Sequence, residues 1–505
     1  MAYGLSKSKL MAHRQCPKRL WLQVHRPELT EWADASSIAI QHGYGIGEVA
    51  RTLYPDGWLI DGANLADALA DTRLALASKL NRTLFEATFE HEGVLIRADV
   101  LIPEEGEHRL VEVKASTRVK DYHLSDCAIQ AWVCRQAGLS LNRVELAHVD
   151  SGFVYPGGGD YRGLLRHVDL TGTIEPLISQ VPGWIEAARA TLERGEPAIA
   201  PGAQCHTPYD CPFLTHCADA AGLPEESEFP LRLLPYPGKL KAELEAEGYR
   251  DLRDVPAERL AKPKHRRIHR VALSGEAELD PAAAAALSKH EYPRYYLDFE
   301  SIQFAVPRWA GTRPYQQLVF QWSCHVEDTP GELRHLEFLD GSGDDPRRPF
   351  AEALIEALGE HGPVFVYNIG FERTRTNELA SDFLDLSAPL LAIGERMVDL
   401  LPLVRNHYYH PGMDGSWSIK SVLPTLAPDL DYTALQVRHG AMAQEAYAEL
   451  IDPGTVPQRR GELRRNLLDY CRLDTLAMVR LAWYREGTAY LPSPPGTNLP
   501  GADLH

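Results

Sequence analysis

Two acidic residues spaced two apart follow a strand-like segment in the second half of the chain. Asp298 and Glu300 lie in YPRYYLDFESIQF, where the preceding aromatic and aliphatic residues favour a β-strand. Because residues i and i+2 of a strand share a face, both carboxylates are expected to point to one place. Neighbouring carboxylates repel each other unless a cation lies between them, so the pair indicates a metal site.

Three further residues extend this set toward the end of the chain. Glu372 follows the apolar segment PVFVYN, and NLLDYCRLDTLAMVRLAW carries Tyr470 and Asp474 within a helical pattern of apolar residues. Residues four apart lie on one helix face, so the phenol and the carboxylate are expected side by side. Hard oxygen ligands from several elements can hold Mg²⁺ or Mn²⁺ ions about 3.5–4 Å apart, an arrangement that hydrolyses phosphodiesters. The phenol would orient the attacking water.

These motifs resemble those of the DEDDy 3′–5′ exonucleases, which belong to the DnaQ-like, ribonuclease-H-fold superfamily. The resemblance implies that Asp298, Glu300 and Asp474 are metal ligands. It implies that Glu372 is the acid of the second motif and that Tyr470 is the catalytic tyrosine. The family normally has Asp where this sequence has Glu372. Asp399, in MVDLLPLV, is therefore kept as an alternative ligand, although a helix N-cap is the favoured interpretation of that residue.

A second constellation lies in the first half of the chain, in GVLIRADVLIPEEGEHRLVEVKAST. The pattern predicts a hairpin with Asp99 in one strand and Glu112 and Lys114 on one face of the next, while Val113 points to the core. Two carboxylates can bind a divalent ion, and an ammonium group can activate water and offset phosphate charge. Alternating charges on a solvated strand are the competing interpretation.

Four cysteines form a third constellation. Three are spaced with five residues between neighbours in CHTPYDCPFLTHC, and one lies far upstream in QCPKRLWL: Cys205, Cys211, Cys217 and Cys16. Four thiolates can bind zinc or an iron–sulfur cluster. His206 and His216 lie within the trio, which keeps zinc open as an alternative.

The second and third constellations together resemble the iron–sulfur PD-(D/E)XK nucleases of the RecB/AddB type and their CRISPR-adaptation relatives. The resemblance implies a 4Fe–4S cluster on the four cysteines, metal ligands at Asp99 and Glu112, and catalytic partners at Lys114 and Gln130. Cys134 replaces the aromatic residue usual four positions after Gln130. An upstream metal ligand is expected on the first helix, with His42 and Glu48 as candidates.

Over nearly its whole length the chain is also similar to an uncharacterised bacterial family that fuses these two modules. LSKSKLMAHRQCPKRLWL, LDFESIQFAVPRWAGTRPYQQLVFQWS and SWSIKSVLPTL carry that similarity. The loop that contains Gly311, Thr312, Arg313 and Tyr315 is interpreted either as a contact to nucleic acid or as a structural turn.

The composition limits the classes of protein to consider. A formal net charge of −18 argues against broad, nonspecific attraction to nucleic acid. Two local basic stretches, at 1–27 and 261–274, contain no acid. They are predicted to contact the phosphates along a bound nucleic acid. No apolar run approaches the roughly 20 residues that span a bilayer, and no signal peptide is evident, so a cytoplasmic location and no membrane partner are expected.

We therefore expect an α/β protein with a restriction-endonuclease-like domain, a helical linker, a ribonuclease-H-like domain and a disordered tail, at 1–225, 226–290, 291–487 and 488–505. The expected function is metal-dependent hydrolysis of nucleic acid in DNA repair, processing or defence. DNA is preferred to RNA as the substrate, and a second, RecB-like nuclease site is expected. The alternative is a nucleic-acid clamp or scaffold in which one or both sites are inactive.

Overall fold

The structure is a computed structural model that describes residues 4–31, 37–78, 80–221, 226–430 and 432–486, with the side chains of 37–42 and 485–486 left out. The predicted disordered tail at 488–505 therefore lies outside the described residues. Two compact units divide the chain. Unit 1 comprises 1–224 and 304–316, and unit 2 comprises 225–303 and 317–505.

Unit 1 is built on a seven-stranded sheet in the order β2-β3-β4-β5-β6-β7, with β1 paired to the start of β4. Its strands are β1 (Leu5–Ser6), β2 (Trp58–Leu59), β3 (Leu84–His91), β4 (Val94–Glu104), β5 (Glu107–Lys114), β6 (Leu141–Val149) and β7 (Leu165–Asp169). Its helices are α1 (Lys7–Gln15), α2 (Pro17–His25), α3 (Ser37–Thr52), α4 (Leu65–Ala77), α5 (Asp121–Gln136), α6 (Thr171–Ile178), α7 (Val181–Leu192) and α8 (Leu214–Ala220).

The centre of this sheet is an antiparallel meander followed by a helical crossover. The predicted hairpin is present, because β4 and β5 pair antiparallel around the turn at Glu105 and Gly106, both of which have positive φ. After β5 the chain passes through α5 and returns as β6, which is parallel to β5. Helix α5 is buried on all sides from Ser125 to Cys134 and lies in the core of the unit, although Asp126 and Gln130 are among its buried residues.

Unit 2 contains a five-stranded mixed sheet in the order β11-β10-β9-β12-β13. Strands β9, β10 and β11 are antiparallel neighbours, whereas β12 is parallel to both β9 and β13. The strands are β8 (Glu278–Leu279), β9 (Arg294–Ile302), β10 (Leu318–Thr329), β11 (Glu332–Leu339), β12 (Val364–Val366), β13 (Met397–Asp399) and β14 (Tyr408–Tyr409), and β8 pairs with β14.

Helices cover this sheet. They are α9 (Leu240–Ala246), α10 (Pro263–Ser274), α11 (Ala282–Leu287), α12 (Arg347–Leu358), α13 (Gly370–Asp382), α14 (Ser387–Arg396), α15 (Leu400–His407), α16 (Ile419–Leu426), α17 (Gly440–Leu450) and α18 (Pro457–Glu486). The predicted C-terminal helix is thus present and 30 residues long. Across the described residues, no helix combines the length and the apolar character that crossing a membrane requires.

Two segments pack differently from the expectation. Residues 226–290, predicted as a linker, contribute Leu244, Leu252 and Ile268 to the same hydrophobic core as Tyr296 and Phe365 of the sheet. Burial of these apolar side chains makes the segment part of unit 2.

The loop at 304–316, predicted to lie in the C-terminal domain, instead packs within unit 1. Thr312 is fully buried there, its carbonyl accepts from the amide of Tyr155, and the Tyr315 hydroxyl donates to the carbonyl of Ala115. Of the two interpretations of this loop, the structural turn accounts for Thr312 and Tyr315.

Candidate functional site

The carboxylates of Asp298 and Glu300 project from the central strand of the unit 2 sheet. Both residues lie on β9, which has β10 on one side and β12 on the other, so the strand cannot shift without breaking two ladders. Asp298 is half-buried and Glu300 is 8% exposed. Their side chains and the Cys471 thiol offer atoms that all lie within 4.8 Å of one another.

Glu372 reaches the same place from the first turn of α13. The chain turns at Asn368, which has a positive φ of 75°, and α13 then starts at Gly370. Glu372 is 2% exposed, and its Oε2 atom is buried without a hydrogen-bond partner. A buried carboxylate oxygen without a partner is costly, which favours a cation at this position.

Asp399, the alternative ligand, is a helix N-cap. Its Oδ1 atom accepts from the backbone amides of Leu401 and Asn368, and α15 begins at the next residue. The favoured interpretation of this residue is confirmed. Glu372, and not Asp399, is the residue that lines the cavity with Asp298.

Helix α18 supplies the remaining predicted side chains, Tyr470 and Asp474, both nearly buried. Two residues that the motifs did not reveal hold them. The Lys420 ammonium donates to the Tyr470 hydroxyl at 2.8 Å, and the Tyr432 hydroxyl donates to the Asp474 carboxylate at 2.5 Å. The phenol and the carboxylate are therefore fixed by neighbours on other elements, as a site that orients water requires.

We use the name carboxylate cavity for the space of about 250 Å³ that these side chains enclose in unit 2. Its acidic lining consists of Asp298, Glu300, Glu372 and Asp474. Burial, followed by the charge of Asp474, raises the pKa of Glu300 to about 8, and burial raises the pKa of Glu372 to about 8. Lys420 opposes this rise at Glu300 and Asp474, but one ammonium does not balance four carboxylates. The donor set therefore fits Mg²⁺ or Mn²⁺.

Cys471 lies against Asp298 but does not fit such an ion. Its thiol donates weakly to the Asp298 carboxylate at 3.8 Å, and burial raises its pKa well above the usual value for a thiol. A protonated thiol is a poor ligand for a hard cation. We interpret Cys471 as a donor that positions Asp298.

Replacing Glu300 with Gln is expected to raise the thermal stability of the metal-free protein. The raised folded pKa of Glu300 means that its contribution to stability is complete below pH 4.5 and is lost as pH rises through about 8. The gain from Gln should therefore be absent at pH 5 and present at pH 8, with about 2–4 °C in Tm for each kcal/mol. Thermal unfolding in EDTA at both pH values measures it.

Glu360→Gln is the matched control, because Glu360 is an exposed carboxylate of the same unit. Adding Mn²⁺ should raise the Tm of wild-type protein and of this control but not that of Glu300→Gln. A Glu300→Gln protein with wild-type Tm at pH 8 in EDTA would show that the carboxylates do not repel each other.

The N-terminal acidic site is the name we give to Asp99, Glu112, Lys114 and Gln130 together with two unpredicted residues, Lys7 and Asp126. Glu112 is 2% exposed and accepts hydrogen bonds from Lys7, Lys114 and Gln130. The ammonium groups of Lys7 and Lys114 also bind the Asp126 carboxylate, at 2.9 and 2.8 Å. Asp99 accepts from the amide of Val113 at 2.7 Å. The predicted residues are thus brought together.

The balance of charge differs from that in the carboxylate cavity. Although burial opposes it, Lys114 and Lys7 hold the pKa of Glu112 well below its usual range. Burial and the charge of Glu112 raise the pKa of Asp99. Lys7 comes from the first turn of α1 and occupies the space between two carboxylates. A divalent ion shared by Glu112 and Asp126 would therefore have to displace the Lys7 ammonium.

The remaining predictions for this site have mixed outcomes. Glu48 is exposed on α3, whereas the side chain of His42 lies outside the described residues. Cys134, which replaces the usual aromatic residue, is fully buried in the core.

Three cations of the first basic stretch, at 1–27, are held by contacts within unit 1, and contact of the stretch with phosphates stays a prediction. Lys7 and Lys18 are engaged with buried or half-buried carboxylates, and the guanidinium of Arg14 lies 3.7 Å from the ring centre of Trp184.

The four predicted cysteines line one small cavity in unit 1: Cys16, Cys205, Cys211 and Cys217. All four are free of disulfide bonds. Four thiols that line one cavity can bind zinc or an iron–sulfur cluster.

The histidines of the trio contribute less to this site than the thiols do. His206 is exposed and contacts Asp210, and His216 contacts Glu196. Neither histidine lines the cavity.

Comparison with known proteins identifies relatives without a stated activity. Residues 295–418 match a family described as a domain of unknown function (DUF2779), a range that includes Asp298, Glu300, Glu372 and Asp399. "Uncharacterized protein UU173" of Ureaplasma parvum serovar 3 is 24% identical over 234 residues, which is 42% of this chain and 34% of that protein. "Uncharacterized protein MG366 homolog" of Mycoplasma pneumoniae is 27% identical over 209 residues, 37% of this chain and 31% of that protein. The chain thus spans about a third of the length of the curated relatives it matches.

Proposed function

We propose that unit 2 is a metal-dependent nuclease that removes nucleotides from the 3′ ends of nucleic acid. The observation that carries the proposal is the carboxylate cavity, where four acids from three elements face one space with a single nearby lysine. Such a cluster is unfavourable without cations and suits the displacement of a phosphate oxygen when cations are bound.

The architecture of the unit supports this proposal. The sheet order β11-β10-β9-β12-β13, with an antiparallel meander followed by two parallel strands, agrees with a ribonuclease-H-like domain. In that arrangement the first acidic motif lies on the central strand, as Asp298 and Glu300 do here. The resemblance to DEDDy exonucleases supplies the 3′–5′ direction.

Four residues would hold the ions: Asp298, Glu300, Glu372 and Asp474. Bound Mg²⁺ or Mn²⁺ would supply Lewis-acid stabilisation and lower the pKa of a ligated water. The pKa of the Tyr470 phenol is raised, first by burial and then by Asp474, so it stays protonated and acts by hydrogen bonding, not as a base. Lys420 holds this phenol by donating to its oxygen, and the phenol in turn hydrogen-bonds the Asp474 carboxylate, so it would lie beside a water bound to the same ion.

We also propose that unit 1 contacts nucleic acid through the N-terminal acidic site. The meander, crossover helix α5 and parallel strand β6 agree with the core of PD-(D/E)XK nucleases. Because Lys7 already bridges Glu112 and Asp126, this site is balanced without a metal. That observation favours a gripping role for unit 1 as a second candidate function, beside cleavage.

Lys114→Ala tests which role unit 1 has. If unit 1 cleaves, cutting that remains in an Asp298→Asn background should fall by about 100-fold or more when Lys114 is removed, because the ammonium is lost from the reacting centre. Residual cutting is measured on circular single-stranded DNA, which has no 3′ end. Lys9→Ala is the control, because Lys9 lies near the site in sequence and its ammonium donates to the carbonyl of Gly4, away from the acids of the site. If the residual cutting is equal with and without Lys114, the cutting does not come from the N-terminal acidic site.

The cysteine site, formed by Cys16, Cys205, Cys211 and Cys217, is proposed to bind a 4Fe–4S cluster, with zinc as the alternative. Helix α2 begins directly after Cys16, and the other three cysteines lie around α8, so the bound group would join the two ends of unit 1. Thiolate ligands suit either metal, and the resemblance to the iron–sulfur nucleases favours the cluster.

The proposed function is tested with a panel of labelled DNA and RNA strands, single and double, with Mg²⁺, Mn²⁺ or EDTA. We expect metal-dependent release of nucleotides from 3′ ends, with DNA preferred. Binding of strands without cleavage of any substrate would instead support the clamp.

A further inference from the structure

A large cavity adjoins the carboxylate cavity within unit 2. Its volume is about 1080 Å³, and its cationic lining is formed by Arg232, Lys262, Lys264, Arg267 and Arg405. None of the lining residues that the structure describes is an Asp or a Glu. In a chain with a formal net charge of −18, this basic cavity is a local exception.

The cationic groups differ in how far protein acids already neutralise them. Arg232 is held by Glu226 and Asp414, and Arg267 is held by Glu278. Within the described residues, Lys262, Lys264 and Arg405 form no ion pair with an acid. Burial and the nearby Arg405 and Arg267 lower the pKa of Lys264, which marks a place where positive charge is concentrated. An anion there would relieve that repulsion.

The aromatic side chain of Tyr236 lines this cavity. Tyr236 is 80% exposed and has a positive φ of 47°, a conformation that is uncommon for a residue other than glycine. The Lys262 ammonium donates to its carbonyl oxygen at 2.6 Å. Exposed aromatic rings beside cations are the usual platforms for unpaired bases, and a strained backbone often marks a functional position.

The basic cavity borders the carboxylate cavity. Tyr367 and Ile419 line both of them. Tyr367 is fixed by a hydrogen bond from its hydroxyl to the carbonyl of Trp417, at 2.6 Å. A ligand with phosphates along its length could thus contact cations in one cavity and reach the acids in the other.

We propose that the basic cavity binds the sugar–phosphate backbone of a single-stranded nucleic acid, with Lys264 and Arg405 on phosphates and Tyr236 stacked on a base. The proposal rests on the nuclease function of unit 2, whose substrate class it specifies. The volume of about 1080 Å³ lies at the upper limit of the range for small-ligand sites, roughly 300–1,000 Å³, and leaves room for more than one nucleotide. A paired duplex would hide the base faces from Tyr236.

In this proposal, residues 226–290 supply most of the side chains that would contact the strand. Four of the five cations belong to this segment, as does Tyr236: Arg232, Lys262, Lys264 and Arg267. The second basic stretch, predicted to follow phosphates, contributes Lys262, Lys264 and Arg267 to the cavity. Arg270, in contrast, is paired with Glu278 and does not line it.

The test measures binding of a fluorescein-labelled oligothymidylate to the full chain by fluorescence anisotropy, in an Asp298→Asn background that prevents hydrolysis. The double variant Lys264→Gln and Arg405→Gln should weaken Kd about tenfold and reduce the slope of log K against log salt by about 0.7 for each cation removed. Lys289→Gln with Arg465→Gln removes the same charge from outside the cavity and should leave Kd unchanged.

The stacking contact has its own pair of variants. Tyr236→Ala should weaken binding by about tenfold, whereas Tyr236→Phe keeps the ring and should bind like the parent. Polyglutamate of equal charge should compete poorly, because it has no bases. Unchanged Kd in the cavity variants, equal loss in the control pair, or full competition by polyglutamate would each overturn the proposal.

Failure of the nuclease function is seen separately. Thymidine 5′-monophosphate p-nitrophenyl ester is short enough to need only the carboxylate cavity. Its hydrolysis by wild-type protein but not by Asp298→Asn tests that site without the basic cavity. If strand binding depends on Lys264 and Arg405 but the wild-type protein does not hydrolyse the ester, the nuclease function is refuted and the proposed strand site is supported.

Discussion

An Asp298→Asn protein is expected to release nucleotides from 3′ ends at least about 1000-fold more slowly than the wild type. The substitution removes one ligand oxygen from the carboxylate cavity and keeps the shape of the side chain. The change should perturb the fold little, because the hydrogen bond that the carboxylate accepts from the Cys471 thiol is long, at 3.8 Å. The rate is measured on end-labelled single strands with saturating Mg²⁺ and Mn²⁺.

The matched control is Asp344→Asn, since Asp344 is an exposed acid of the same unit outside the cavity. It should retain the wild-type rate. The Tm of Asp298→Asn in EDTA should equal or exceed that of the parent, because one of several repelling acids is gone. A near wild-type rate in Asp298→Asn would refute the assignment of the carboxylate cavity.

Replacing all four cysteines of the cysteine site with Ser is expected to unfold unit 1. Structural metal binding contributes on the order of 10 kcal/mol of folding free energy, which is comparable with the whole stability of a typical domain. Anaerobically purified wild-type protein should be brown, with absorption near roughly 400 nm, and the variant colourless. Calorimetry should show the loss of one unfolding transition, while unit 2 keeps its own.

Cys134→Ala provides the control, because Cys134 is buried in the core of unit 1 and does not line the cysteine site. It should lose some stability but keep its iron. Colourless wild-type protein with stoichiometric zinc would refute the iron–sulfur cluster but would support a metal site with these four ligands. A quadruple variant as stable as the parent would refute both.

Short-range pattern predicted much of what the structure shows. The period-two spacing of Asp298 and Glu300 on β9, the hairpin around Glu105, and the helix that carries Tyr470 and Asp474 all follow from local periodicity. These features depend on residues near one another in sequence, where alternation and helical spacing determine which side chains share a face.

Contacts between distant segments were not predictable in the same way. Lys7 reaches Glu112 across 105 positions, and nothing in LSKSKL indicates a buried ammonium. Lys420 and Tyr432 are brought to α18 only by the packing of unit 2. Asp126 is the exception, since it precedes Gln130 by one helical turn and could have been found on the same face.

The segment after the cysteine site shows the same limit. A segment rich in Leu, Glu, Arg and Ala was interpreted as a helical linker at 226–290, but its apolar residues fill the core beside Tyr296. Whether such residues are buried depends on the surface they meet, and a single segment does not encode that surface. The basic cavity arises from that packing, since its cations come from stretches as far apart as Arg232 and Arg405.

The central claim is that the carboxylate cavity hydrolyses phosphodiesters from 3′ ends. It is tested most directly with a 5′-labelled single strand about 20 nucleotides long, longer than most single-strand binding sites. With Mg²⁺ or Mn²⁺, wild-type protein should give a ladder of products that shorten one nucleotide at a time, and EDTA should abolish it. No shortening of DNA or RNA with either metal, or an identical ladder from Asp298→Asn, would contradict the claim.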